Sequence, residues 1–216
     1  MDVKIENMIY LININQQLDI EKLSEDSVID MGKFLNLMDI TKEELANAWK
    51  KQYSTPDELP ERWRMIENTK TFPGVICRIP EPKTSMLIFR TGKIISIGAK
   101  THGDIKKATE KLMEIFNLIG ADIKEKPITE LQNIVATAQL DFMVNLELAA
   151  LYCKEMEYEP EQFPGLVFRL NEPKAVMLIF KSGKMIITGS RNEKDVELAA
   201  IETEKVICGS GAIIHD

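Results

Sequence analysis

Residues 72–100 read FPGVICRIPEPKTSMLIFRTGKIISIGAK, and residues 163–191 read FPGLVFRLNEPKAVMLIFKSGKMIITGSR. The two stretches align without a gap at an offset of 91 residues. Fifteen of the 29 positions are identical, and most of the others exchange like for like. A period this long, used only twice, does not fit a solenoid array and reads as a duplicated half-domain. Two copies of one surface predict a ligand that is itself nearly two-fold symmetric.

The repeat extends in both directions. Residues 131–140, LQNIVATAQL, match residues 5–14, IENMIYLINI, with Asn133 opposite Asn7. That offset is 126, so the first copy carries about 35 extra residues between Leu23 and Thr71. The expected division is a first repeat over 1–125, with its insertion at about 27–65, and a second over 126–216. Downstream of each block the apolar spacing turns helical. Ile105, Ala108, Leu112, Ile115, Phe116 and Ile119 form one stripe that stops at Gly120. Val196, Ala199, Ala200 and Val206 form a weaker one over 192–209, after which the tail CGSGAIIHD is expected to fray. Each half thus reads as strand, short helix, four short strands and long helix. Arg90-Thr91-Gly92-Lys93 and Lys181-Ser182-Gly183-Lys184 stand between apolar runs as hairpin turns do, and Pro82 and Pro173 mark another turn. In the insertion, Thr41 and Glu44 form a capping-box signature. Trp49 and Trp63, the only tryptophans, make it a surface elaboration or a docking element.

Composition narrows the function. Hydrophobic content of 44% and charged content of 28% are those of an ordinary globular protein. No apolar run reaches membrane-spanning length, and MDVKIENMIY lacks the basic flank and long apolar core of a signal peptide. Three cysteines, Cys77, Cys153 and Cys208, with no CxxC pair, disfavour a disulfide framework or a zinc site and suit reduced thiols inside a cell. There is no nucleophile–base pair, metal cluster or phosphate-cradling glycine loop. His102 and His215 lie in polar segments and read as surface residues. The expected protein is not an enzyme and needs no cofactor. A net charge of −7 argues against nucleic-acid binding unless the basic residues gather on one face.

Alternation along the strands defines two faces. One carries Asn7, Ile9, Leu11, Leu87, Phe89, Ile95 and Ile97 in the first copy. In the second it carries Asn133, Val135, Thr137, Leu178, Phe180, Ile186 and Thr188. The other face, with Ile134, Ala136, Met177, Ile179, Met185 and Ile187, is expected to pack on the helices. The first face is also mostly apolar and needs a partner of its own. Phe72-Pro73-Gly74 and Phe163-Pro164-Gly165 place a phenylalanine at each loop-to-strand corner.

QNIVATA, EYEPEQFPGLVFR, EPK, LIF, SGK and TG, in tandem copies, closely resemble the TATA-box-binding protein family, and 157–169 looks most like its archaeal members. The resemblance implies an α+β fold: a pseudo-two-fold saddle, its curved antiparallel sheet of about ten strands backed by four helices. It implies a concave face seated on the minor groove of A·T-rich double-stranded promoter DNA. By position, Phe72 with Phe89 and Phe163 with Phe180 match the wedge pairs, and Asn7 and Asn133 the central donors. Thr137 and Thr188 match neighbouring polar contacts. Ile9, Leu11, Leu87, Ile95, Ile97, Val135, Leu178 and Ile186 supply the apolar floor. Arg78, Lys93, Arg169 and Lys184 match phosphate contacts. Glu159, Glu161 and Gln162 lie in the loop that docks transcription factor B, ahead of an RNA polymerase assembly. Pairing of free molecules as homodimers is a further expectation. The setting implied is cytoplasmic and nucleoid-associated in an archaeon, nuclear in a eukaryote. Two other readings stay open: a diverged paralogue acting as a protein-binding or regulatory adaptor, and an accessory domain of a nucleic-acid enzyme. Where the second copy has Thr137 and Thr188, the first has Leu11 and Ile97, so its face has lost two hydroxyls.

Overall fold

The computed structural model describes residues 1–19, 66–67, 74–118 and 120–214. The insertion, with Thr41, Glu44, Trp49 and Trp63, and also Phe72, Ile119 and His215, lie outside these residues. The chain divides into two compact units, residues 9–130 and residues 1–8 with 131–216.

In the 9–130 unit the strands are β1 (Val3–Asn13, from Ile9 onward), β2 (Ile66–Glu67), β3 (Gly74–Ile79), β4 (Thr84–Phe89) and β5 (Lys93–Ala99), followed by helix α1 (His102–Leu118). The strand order is β2-β3-β4-β5-β1. The pairings of β3 with β2 and β4, and of β4 with β5, are antiparallel. Val75, Cys77 and Ile79 of β3, Met86 and Ile88 of β4, and Ile94 of β5 alternate as buried residues, and α1 packs against β3 and β5. Burial pushes the Cys77 thiol up to about 12, so it behaves as a small core hydrophobe. Helix α1 presents Ile105, Ala108, Leu112, Ile115 and Phe116 to that core, the stripe expected from the sequence. His102, an exposed residue, reaches back so that its Nδ1 bonds the hydroxyl of buried Tyr10.

The start of α1 is a reciprocal cap. Thr101 Oγ1 accepts from Asp104 N–H at 3.0 Å, and Asp104 Oδ2 accepts from the Lys100 and Thr101 N–H groups, each at 3.0 Å. Asp therefore fills the usual Glu place of a capping box. The Lys100 N–H bond leads the causes that hold the Asp104 carboxyl below its ordinary value. A carboxyl lowered by folding stabilises fully above its unfolded pKa, and that contribution fades as pH falls through the lowered folded value. Asp104→Asn is expected to keep the cap's geometry while flattening the acid limb of thermal stability. Melting curves from about pH 2 to pH 6 check this, since they span the ordinary Asp range; an unchanged acid limb would remove Asp104 from it.

In the 131–216 unit, β6 (Ile128–Gln139), β7 (Met143–Val144), helix α2 (Leu146–Tyr152), β8 (Met156–Glu157), β9 (Leu166–Leu170), β10 (Ala175–Ile179), β11 (Lys184–Ser190), helix α3 (Glu193–Ser210) and β12 (Ile213–Ile214) follow in order. The strand order is β6-β11-β10-β9-β8, antiparallel throughout. Asn145 caps α2 by accepting from Leu148 N–H, and Asn192 caps α3 by accepting from Lys194 N–H. Helix α3 packs on β10 and β11 and buries Val196, Ala199, Ala200, Thr203 and Ile207. The tail does not fray as expected. Gly211 closes α3 in the left-handed region, Ala212 is buried, and β12 pairs antiparallel with β7. The fold is α+β, with three helices among the described residues.

Both hairpin turns form where the sequence places them. Gly92 (φ 78°) and Gly183 (φ 79°) take the left-handed backbone that such turns require. In each unit the chain leaving the long first strand bonds across the turn: Ile14 N–H to Gly92 O at 3.1 Å, and Leu140 N–H to Gly183 O at 3.0 Å.

Candidate nucleic-acid interface

The face opposite the helices is built by strict alternation. In β6, Ile134, Ala136 and Ala138 are buried, so Asn133, Val135 and Thr137 point the other way and remain half-buried. Antiparallel register then lines up the neighbours. Thr137 stands opposite Ile186, Ile186 opposite Leu178, and Leu178 opposite Val167. A second row runs Thr188, Val176, Arg169. In the 9–130 unit the matching rows are Ile95, Leu87, Ile76 and Ile97, Ser85, Arg78. Ile9 and Leu11 are half-buried between buried Met8, Tyr10 and Ile12, and Asn7 at the start of the chain is half-buried as well. Every described apolar residue proposed for this face lies on it and outside the helix-covered core. Sequence reasoning missed Val167, Val176, Ile76 and Ser85, which the same two-residue period in β3, β4, β9 and β10 would have found.

The corner aromatics cap the rows. Phe163 and Phe180 meet edge to face, with centroids 5.9 Å apart at 63°. Both are half-buried, and they close over Gly165. A Cβ at Gly165 would sit 2.7 Å from Phe163 Cε1 and 3.1 Å from Phe180 Cε1, so the ring pair requires a residue without a side chain beneath it. In the other unit, Phe89 is half-buried and stands opposite Gly74 in the β3–β4 register.

The polar groups of the second copy are tightly ordered. The ladder between β11 and β6 shifts register between Ile187 and Ser190. At this irregularity the Gly189 N–H donates to Asn133 Oδ1 at 2.8 Å, and Asn133 Nδ2 donates to Thr188 Oγ1 at 3.0 Å. Thr137 Oγ1 donates to Glu6 Oε1 at 3.4 Å, and Lys4 holds the same carboxylate oxygen at 2.9 Å. Glu6 is a participant that sequence reasoning did not single out; its contact depends on tertiary pairing across 131 residues. Lys93, Lys184 and Arg169 are exposed and Arg78 is half-buried, and all four lie on this face of their strands.

The loop before Phe163 is set by its own bonds. Gln162 and Phe163 donate their N–H groups to Glu159 O at 2.9 and 3.0 Å, and Gln162 Nε2 bonds Glu159 Oε2. Glu159, Glu161 and Gln162 are all exposed. Such an arrangement offers an apolar floor with fixed donors, an aromatic pair at one end and an acidic loop beyond it. Among the described residues no cluster of His, Cys, Asp and Glu could hold a metal ion, and no helix is long and apolar enough to cross a membrane.

Comparison with known proteins points the same way. The family model described as Transcription factor TFIID (or TATA-binding protein, TBP) matches residues 61–119 and 128–207. The TATA-box-binding protein of Pyrobaculum aerophilum is 46% identical over 144 residues, which is 66% of this chain and 72% of that protein. The TATA-box-binding protein of Pyrobaculum neutrophilum is 38% identical over 196 residues, 91% of this chain and 82% of that one. Among solved structures, Methanococcus jannaschii TBP superposes with a TM-score of 0.73 at 33% identity, covering 97% of this chain and 99% of that chain.

Proposed function

The chain belongs to the TATA-binding protein family, and from that premise we propose that it is a general transcription initiation factor that binds A·T-rich promoter DNA from the minor groove. The observation that carries this reading is the apolar row Ile186, Leu178 and Val167 together with the crossed rings of Phe163 and Phe180. The minor groove of A·T pairs shows only adenine N3 and thymine O2 acceptors, while a G·C pair adds a protruding amine. Ile9, Leu11, Leu87, Ile95, Ile97, Val135, Leu178 and Ile186 meet that groove floor, and Asn7 and Asn133 donate to its acceptors. Phe163 with Phe180, and Phe72 with Phe89, enter base steps at the two ends of the site and unstack them. The TATA-binding protein is itself the reference case for such wedging and bending. Arg78, Lys93, Arg169 and Lys184 take phosphates, which puts positive charge at the DNA although the chain carries a net −7. Glu159, Glu161 and Gln162 dock transcription factor B, since an acidic loop beside the DNA end suits a basic partner, and the polymerase assembly follows.

The test is a gel-shift titration with an A·T-rich promoter duplex and a G·C-substituted control, with and without factor B. The expected result is a retarded A·T complex that factor B shifts further. Glu159→Lys with Glu161→Lys should abolish the second shift and leave the first. Absence of any A·T complex, with or without factor B, would overturn the proposal.

A further inference from the structure

Helix α2 is apolar on two sides. Leu146 and Ala149 are buried, while Leu148, Leu151 and Tyr152, spaced i, i+3 and i+4, form a second face that points into solvent. Leu151 is 86% exposed and Tyr152 is 61% exposed. Helix α3 packs against α2 and buries Val196, Ala199, Ala200, Thr203 and Ile207, which leaves Leu198 and Ile201 exposed on its outer side. Among the described residues, α1 of the other unit exposes no large apolar side chain. Singly exposed leucines are ordinary, but five large apolar side chains turned outward from two packed helices are of the kind that marks an interaction site.

The charge around them has one dominant sign. Residues 146–162 hold five acids and one base. Helix α3 holds five acids and two bases, and one of those bases, Lys205, is paired with Glu202 at 2.7 Å. Helix α1 holds three of each. Glu147, Glu155 and Glu157, all exposed, flank the outer face of α2 in the chain. This sign selects the occupant. DNA phosphates and anionic lipid are repelled. A second copy of the chain would bring acid against acid. An apolar strip framed by carboxylates fits a helix with apolar anchors on one side and lysine or arginine beside them.

We propose that the outer face of α2 and α3 docks a basic amphipathic helix of a partner protein. This face shares no residue with those assigned to DNA, nor with Glu159, Glu161 and Gln162, so the inference goes beyond the proposed function.

The probe is a fluorescent peptide of about 18 residues, long enough to form a helix on docking. It is built of leucine and lysine, with the leucines at i, i+3, i+4 and i+7 spacing; a second peptide replaces every lysine by glutamate. Anisotropy titration with the full chain should show saturable binding of the lysine peptide, and at least about tenfold weaker binding of the glutamate peptide. Leu151→Ser with Tyr152→Ser should weaken the lysine peptide at least about tenfold, the scale of losing an interface anchor. Both side chains face solvent, so the melting temperature should hold. Glu155→Lys with Glu157→Lys should weaken the lysine peptide and strengthen the glutamate peptide, which a disturbed fold would not do. The inference is overturned if the lysine peptide does not bind, if Leu151→Ser with Tyr152→Ser binds it as wild type does, or if the charge reversal leaves the preference unchanged. Those results leave the A·T complex of the gel shift standing, whereas loss of that complex fails the proposed function and leaves the docking face intact.

Discussion

Replacing Phe163 and Phe180 together by alanine is expected to weaken binding to an A·T-rich duplex at least about 30-fold, the scale of losing one aromatic hot spot. Two rings entering a base step would contribute more than one, but they act as a unit, so their separate effects should not add. The rings touch each other at 5.9 Å and are half-buried, not part of the core beneath the helices. Thermal stability should therefore change much less than affinity. The DNA bend should also relax, because unstacking is what lets a duplex fold away from the inserted groups. Gel-shift titration gives the affinity, and energy transfer between dyes on the duplex ends gives the bend. Affinity within about threefold of wild type, with the bend intact, would remove these two rings from the wedge role. Gly165→Ala offers a second route to the same site: its Cβ would come within 2.7 Å of the Phe163 ring and displace it.

Gly183→Ala is expected to damage the fold heavily. The residue sits at φ 79°, and a Cβ there would lie 2.3 Å from the Phe142 carbonyl oxygen and 3.1 Å from that of Leu140. Left-handed backbone costs an alanine about 1–2 kcal/mol, and forcing backbone apart adds a further cost of roughly 1–3 kcal/mol. For a chain of this size a loss of about 2–5 kcal/mol lowers Tm by roughly 4–20 °C. The displacement would also strain the Leu140 N–H bond to Gly183 O. Gly103→Ala is the internal control with the opposite sign. Gly103 lies in the first turn of α1, its added Cβ would meet only Thr101 Oγ1 at an ordinary 3.5 Å, and its φ is not positive. Alanine there should stabilise by up to about 1 kcal/mol. Calorimetry on the two variants should move Tm in opposite directions; a neutral Gly183→Ala would mean that the turn relaxes easily.

The sequence carried the large features because they repeat. Period-two alternation in 84–89 and 175–179 separates Met86, Ile88, Met177 and Ile179, all buried, from Leu87, Phe89 and Leu178, which are half-buried. The alternation needs no tertiary information. The family resemblance read from QNIVATA and EYEPEQFPGLVFR is borne out by the comparisons, as is the α+β class. Other features leave no periodic trace. Strands β7 and β12 are two residues each, too short for alternation to show, and their pairing turns an apparently loose tail into structure. The register shift before Ser190 is signalled only by a glycine within a strand, a weak cue, and the Asn133 network depends on it. Glu6 looks like a solvated acid in isolation. Only the fold brings it to Thr137.

The seating of the C-terminal segment bears on how the chain can be handled. Asn145 donates its N–H to Ala212 O at 2.8 Å, beside the Ile213–Val144 pairing. Residues 211–214 thus act as a clasp over the entry to α2. Trimming the protein back to the end of α3 would leave Val144 and that entry uncovered, although the shortened product would still include every residue assigned to DNA. A purification tag should therefore be appended beyond Asp216, through a spacer, and never spliced in place of the last six residues.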